Sequence, residues 1–298
     1  MEVYNFGSLN IDHVYSVDHF VQPGETMSSE HYQVCCGGKG LNQSIAVARA
    51  EGSIHHLGVY GQGGEFLLEY LQNNGVDTSL MNKTETAQGH TVIQVSKTGE
   101  NCIILYPGSN YEVTQKYIDD VLDQIKEPGY LLLQNEISEV PYIIHEAARR
   151  GHQIVFNASP FSKSLKELDF NDIAWLMINE VEGYEFTGRK EPEGIIAYLS
   201  EHYPHLGVVL TLGSAGCIVV KDNERVEHGI YHVPVVDTTA AGDTFTGYFA
   251  AALAEGKDLA YAVDVASAAS ALAVTKSGAA PSIPMKEEAE KLIQKTDH

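Results

Sequence analysis

Short apolar runs recur along the chain, each closed by polar or glycine-rich residues and most followed by a segment with helical spacing. Residues 3–9 (VYNFGSL) predict a first strand, 41–52 (LNQSIAVARAEG) a helix stopped by Gly52, and 53–61 (SIHHLGVYG) a second strand. Residues 65–75 (EFLLEYLQNNG) predict a helix ended by Gly75. Further on, 130–136 (YLLLQNE), 153–159 (QIVFNAS), 173–180 (IAWLMINE) and 207–213 (GVVLTLG) are apolar without alternation, the mark of strands buried on both faces. Helical segments such as 141–151 (PYIIHEAARRG) separate them. This alternation predicts a mainly parallel sheet with helices on both sides.

Two stretches break the pattern. Residues 13–34 and 90–108 have no helical period, and the second folds naturally about KTGEN into a hairpin. They predict a small β lid, from about 12–35 and 88–108, beside the main sheet of a single domain spanning 1–298.

Composition narrows the function classes. With 298 residues, 44% of them hydrophobic, the chain can bury the core of one large α/β domain. A formal charge of −21, from 19 Lys+Arg against 40 Asp+Glu, repels nucleic-acid phosphates and anionic lipid. An anionic ligand therefore has to be held by a local device. No run reaches the roughly 18–20 apolar residues of a bilayer span, and the opening residues lack the order of a signal peptide. A soluble, cytoplasmic protein that binds neither nucleic acid nor membrane is expected. Cys35, Cys36, Cys102 and Cys217 offer neither a disulfide framework nor a zinc spacing.

Ligands of open α/β sheets bind beyond the carboxyl ends of the strands. Those ends are polar or glycine-rich here: GSLNID, GGKGLN, QNE, INEVE, TLGSAG and DTTAAGD. In the last of these, at 237–243, small residues lead into a helix-forming run that ends at Gly256. A helix N-terminus has unpaired N–H groups and roughly half a positive charge, a cradle for an oxyanion. Ala240, Ala241 and Gly242 let a ligand approach it. Asp243 beside the cradle has two readings: an N-cap of the helix, or a base that takes a proton from a hydroxyl attacking phosphorus. A cap does not require two alanines and a glycine ahead of it, which favours the base.

The segment DTTAAGDTFTG resembles the C-terminal signature of the ribokinase-like (phosphofructokinase-B) sugar kinases. GSLNID (7–12), PGET (23–26), GGKGLNQS (37–44), NEVE (179–182), TLGSAG (211–216) and AVTKSGAAPSIP (273–284) resemble that family's other motifs, in its order. The resemblance implies a three-layer α/β/α fold with a β-sheet lid. It also implies ATP-dependent phosphorylation of a sugar hydroxymethyl group.

The resemblance extends to individual positions. It makes Asp243 the catalytic base, which can cap the helix as well, and the backbone of Ala241 to Asp243 the anion hole. Asn10 and Asp12 would read sugar hydroxyls, a job suited to an amide that donates and accepts beside a carboxylate that only accepts. Gly38, Lys39, Gly40, Asn42 and Glu136 would complete the sugar site. On the residues alone, Asn10 and Asp12 also fit an Asx turn, Lys39 a solvated surface lysine and Glu136 an exposed strand end. Asn179 and Glu182 would organise Mg²⁺ and the phosphates, through water at Glu182. Thr211, Gly213, Ser214 and Gly216 match the nucleotide loop, which otherwise reads as a plain strand-to-strand turn, and Ser267 falls at the adenine pocket. Asp237, Thr239, Ala273, Lys276, Gly278 and Ser282 match positions that hold K⁺, mostly through carbonyl oxygens. The open lid edge implies a homodimer.

Two departures bear on the sugar: GQGGE (61–65) stands where these kinases carry an acidic pair, and PGSN (107–110) where they carry Ala-Gly-Ala-Asn. A phosphorylated substrate would need cations. Between 90 and 110 there are only Lys97, in the expected turn, and His90. An unphosphorylated sugar is favoured, D-ribose first, with deoxyribose, a ketohexose or a nucleoside as the alternative. A non-catalytic sugar-binding regulator is a further alternative. A dinucleotide dehydrogenase is disfavoured, since neither G-x-G-x-x-G nor a Walker A segment is present, and HYPH (202–205) is an isolated histidine pair that makes a poor metallohydrolase site.

Overall fold

The computed structural model describes residues 1–296. The chain runs β1 (Val3–Phe6), β2 (Asn10–Ser16), β3 (His31–Gly37), α1 (Lys39–Arg49), β4 (Ile54–Leu57), β5 (Val59–Gln62), α2 (Glu65–Asn73) and β6 (Asn82–Ala87). It continues through β7 (His90–Val95), β8 (Asn101–Tyr106), α3 (Gln115–Leu122), β9 (Tyr130–Gln134), α4 (Val140–Arg149), β10 (Gln153–Asn157), β11 (Trp175–Asn179) and α5 (Glu180–Thr187). It ends with α6 (Pro192–His202), β12 (Gly207–Thr211), β13 (Cys217–Lys221), β14 (Glu224–His228), α7 (Ala241–Glu255), α8 (Leu259–Ala273) and α9 (Lys286–Thr296). Among the described residues, no helix is long and apolar enough to cross a membrane.

The main sheet has the order β14-β13-β12-β11-β10-β9-β1-β4. From β12 to β4 every pair is parallel, and β13 and β14 add an antiparallel edge. Alternate residues of one strand serve opposite faces. Leu132, Val155 and Val209 point into a core shared with α1, α7 and α8. Their neighbours Leu131, Leu133, Phe156 and Leu210 point into a second core with α3, α4 and α6. Burial on both faces is why these strands read as unbroken apolar runs, and the result is the expected α/β/α sandwich.

The segments without helical period form a separate sheet, β3-β2-β7-β8, with β7 and β8 joined by the KTGEN turn. Its outer strand β8 exposes Ile103, Ile104, Leu105 and Tyr106.

Three expectations are corrected. Residues 53–61 are two strands: Gly58, at φ 148°, turns the chain out of the main sheet, and β5 pairs with β6 instead. Helix α1 ends at Arg49, and the left-handed turn beyond it falls on Glu51 (φ 63°), before Gly52. The strand expected over 3–9 stops at Phe6, after which the Leu41 N–H bonds the Ser8 carbonyl and fastens the chain to α1.

Candidate active site

Helix α7 begins at Ala241 because Ala240 takes a left-handed conformation (φ 60°) and supplies no side-chain cap. For an alanine that conformation costs roughly 1–2 kcal/mol, the kind of strain that clusters at functional sites. The first N–H of α7 to bond back along the helix is that of Thr244, onto the Ala240 carbonyl. Those of Gly242 and Asp243 precede it, and both residues line a cavity of about 230 Å³.

Asp243 does not cap the helix, contrary to the expectation that it can. It is the third helical residue, 6% exposed, and its carboxylate turns to α1. Asn42 Nδ2 donates to Oδ2 and Gln43 Nε2 to Oδ1, each across 3.0 Å. Two amide donors on two oxygens fix the carboxylate plane. The close approach depends on Gly247, one turn along α7: a Cβ there would lie 2.4 Å from Ala46 Cβ and 2.8 Å from the Gln43 carbonyl oxygen.

Lys39 is no solvated surface lysine. It lines the cavity with Asp243, and among the described residues it is the single cationic side chain there. Burial works against its charge, but the carboxylates of Asp243, Glu136 and Glu182 outweigh it and hold the Lys39 pKa above its ordinary value. Glu136 is likewise no exposed strand end. Its Oε2 accepts from the Ser8 hydroxyl at 2.5 Å and the Lys39 N–H at 3.1 Å, bracing the turn at Gly38 (φ 97°) against the end of β1. Burial raises the Glu136 pKa, partly offset by Lys39 and Ser8. At Gly40 a Cβ would meet Ser8 N at 2.3 Å, so only glycine fits between β1 and α1.

Across the cavity, Asn179 and Glu182 form a capping box on α5: Asn179 Oδ1 accepts from the Glu182 N–H and Glu182 Oε2 from the Asn179 N–H. Parallel register sets Asn179 beside Thr211. The loop after Thr211 is a strand-to-strand turn into β13, with a 3₁₀ turn over Gly213, Ser214 and Ala215. Gly216 (φ 94°) lies where a Cβ would strike the His228 carbonyl at 2.0 Å. Ser267, on α8, bonds Cys217 directly after this turn.

Asn10 and Asp12 share one face of β2, at the end of that strand where the small sheet begins. They are not free Asx-turn residues. Asn10 Oδ1 accepts from Asn110 Nδ2 at 2.8 Å, and Asp12 Oδ1 accepts from Thr91 Oγ1 at 2.6 Å. Burial lifts the Asp12 pKa, against the pull of Thr91 and His13. Lys97 lies in the outer turn, paired with Asp18 and Glu30.

Asp237 straps two loops together. Its Oδ1 accepts from the Thr239 N–H and hydroxyl and its Oδ2 from the Gly278 N–H. Ala273 closes α8, and its carbonyl accepts the Lys276 N–H. The Lys276 side chain reaches away to Glu288, and the buried Ser282 hydroxyl donates to the Ala279 carbonyl, so neither side chain joins Asp237.

Sequence reasoning missed Asn110, Thr91, Gln43, Gln134 and Gly247. Two of them left a trace. Asn110 closes the departing PGSN segment, and Gln134 is the polar residue that ends a buried strand.

A family model described as pfkB family carbohydrate kinase matches residues 2–286. The chain belongs to this family. It is a phosphotransferase with an alcohol group as acceptor. The chain is 35% identical to the ribokinase of Haemophilus influenzae over 95% of both chains, and 34% identical to that of Staphylococcus aureus over 96% and 98%. Its fold is similar to the crystal structure of a Thermotoga maritima ribokinase, with a TM-score of 0.89, 35% identity and 99% of both chains covered. An Arabidopsis thaliana ribokinase in complex with ribose and ATP gives a TM-score of 0.88 at 28% identity, over 98% of both chains.

Proposed function

We propose that this kinase transfers the γ-phosphoryl of ATP to the hydroxymethyl group of D-ribose, giving ribose 5-phosphate. The observation that carries the reading is that Asp243, the start of α7 at Ala241 and Gly242, and Lys39 line one cavity. Asp243 takes the proton of the attacking hydroxyl. The helix N-terminus and Lys39 receive the charge of the transferred phosphoryl group. Asn10, Asp12 and Asn42 hold the sugar. Asn42 spends its N–H₂ on Asp243, and its buried Oδ1, without a protein partner among the described residues, is left to accept from a sugar hydroxyl.

Thr211, Gly213, Ser214 and Gly216 hold the nucleotide phosphates and Ser267 borders the base. Glu182, buried at the cavity wall, suits a cation that keeps its water shell. Bound there, Mg²⁺ would supply positive charge to the phosphates. The loops strapped by Asp237 and Gly278 would offer carbonyl oxygens to K⁺. The small sheet acts as the lid, closing to exclude water. Its exposed apolar strand β8 supports a homodimer through this sheet. Four unbridged cysteines and the need for ATP fit the cytoplasm.

The test is ADP release with Mg²⁺ across a panel of sugars and nucleosides, with and without K⁺. Highest kcat/KM on ribose is expected; turnover confined to deoxyribose or a nucleoside would replace the substrate.

A further inference from the structure

Behind the carboxylate of Asp243 lies a run of buried polar side chains that touches neither the cavity nor the surface. Gln43, Asn5, Ser44 and His56 are fully buried and Gln134 is 1% exposed. Gln134 Nε2 donates to Gln43 Oε1 at 2.7 Å and to Asn5 Oδ1 at 2.9 Å. Asn5 Nδ2 donates to Ser44 Oγ and to the Gly40 carbonyl, each at 2.8 Å. Ser44 Oγ lies 2.8 Å from His56 Nδ1, and His56 Nε2 lies 3.2 Å from the Gly7 carbonyl oxygen.

The chemistry of the two ends sets the sense of every bond. A carboxylate only accepts, so Gln43 presents its N–H₂ to Asp243 and turns its carbonyl to Gln134. Gln134 must then present N–H₂ as well, which leaves Asn5 accepting from it and donating onward. At the other end the Gly7 carbonyl can only accept, so His56 carries its hydrogen on Nε2. Its bare Nδ1 receives the Ser44 hydroxyl. Burial depresses the His56 pKa to about 4, which keeps the ring neutral and in this role.

A purely structural core would be served better by apolar side chains. Gln134 Oε1 is buried with no partner among the described residues, a desolvation cost without a return in stability. The arrangement pins the Gln43 amide so that it cannot rotate its carbonyl toward Asp243.

We propose that Gln134, through Gln43 and backed by Asn5, Ser44 and His56, is a positioning residue that holds the Asp243 carboxylate in its reactive orientation. The proposal rests on the reading of Asp243 as the base. Gln134→Met keeps the volume and removes both N–H groups. It is expected to lower kcat about tenfold while KM for ribose and ATP stay within about twofold of the parent. In an Asp243→Asn background, measured by single turnover, the same change is expected to add no further loss, because the group it positions is gone.

Ser44→Ala, a smaller deletion further along the run, should lower kcat about two- to fivefold with the same constancy of KM. Unchanged kcat in folded Gln134→Met, or a loss that adds fully to that of Asp243→Asn, would overturn the proposal. If Gln134→Met does not fold, Ser44→Ala decides, and its unchanged kcat would overturn it equally. Undiminished turnover in Asp243→Asn alone would instead remove the base reading, a separate outcome.

Discussion

Asn42 Nδ2 lies 3.0 Å from Asp243 Oδ2, a hydrogen bond between residues 201 positions apart that joins the start of α1 to the first turn of α7. Both helix starts carry residues of the proposed site, so on that reading the packing of α1 on α7 sets the geometry of the reaction. The glycine that permits this packing is the first place to perturb it.

Gly247→Ala places a methyl group 2.4 Å from Ala46 Cβ. Either α7 moves off α1 or both helices strain, and overpacking of this kind costs about 1–3 kcal/mol. Urea unfolding should show that loss. Because the bonds from Asn42 and Gln43 to Asp243 lengthen as the helices part, kcat should fall too. Full activity in the destabilised variant would uncouple this contact from the site.

Asn110 secures Asn10 and its neighbour: Oδ1 accepts the Leu9 N–H, and Nδ2 donates to the Leu9 carbonyl and to Asn10 Oδ1. Asn110→Ala strips the Leu9 N–H and Asn10 Oδ1 of this partner, while the Leu9 carbonyl keeps its bond from Gln88 Nε2. A loss of about 1–3 kcal/mol is expected, and KM for ribose should rise more than kcat falls, since Asn10 is freed to rotate. A change in KM for ATP alone would contradict the placement of Asn10 against the sugar.

Lys39 keeps its charge across the assay range because the surrounding carboxylates raise its pKa despite burial. Lys39→Met should therefore lower kcat by about 10²-fold or more, with a deficit that is flat between pH 6 and 9 on the ordinary scale for lysine. Activity near that of the parent would exclude Lys39 from charge stabilisation.

His56 gives a pH signature in stability. Its folded pKa, about 4, lies below the value of 6.5 for a free ring. Below 6.5 the unfolded chain takes up a proton that the folded chain refuses, so the contribution is fully present above 6.5. It is lost as pH falls toward 4, by up to roughly 1.4 kcal/mol per pH unit. Chemical denaturation between pH 7 and 4.5 should show a shallower slope in His56→Asn than in the parent. Equal slopes would mean that His56 is not buried as a neutral ring.

The fold was legible in the sequence where it depends on local rules. Buried parallel strands read as apolar runs, and Gly75, Gly151 and Gly256 take left-handed turns after their helices. The segments proposed to form the site were placed at strand and helix ends for the same reason, and the structure puts them there. What escaped depends on distance. Nothing near Gly247 in sequence announces that Ala46 lies against it, and nothing near Asn110 announces Leu9 and Asn10. The capping role of Asp243 was misjudged because the helix start is set by an alanine at positive φ, a conformation that sequence alone does not signal. Gly58 misled in the same way, since the divergence of β5 from the main sheet is set by its pairing with β6.

Ribose-dependent ADP release by Asp243→Asn against the parent tests the central claim most directly. Asparagine preserves the size of the side chain but is a poor base, and because it sets a donor against one of the amides of Asn42 and Gln43, urea unfolding alongside establishes that the variant is folded. The account predicts a fall in kcat of about 10²- to 10⁴-fold with ribose binding retained. Turnover within a few-fold of the parent would contradict it.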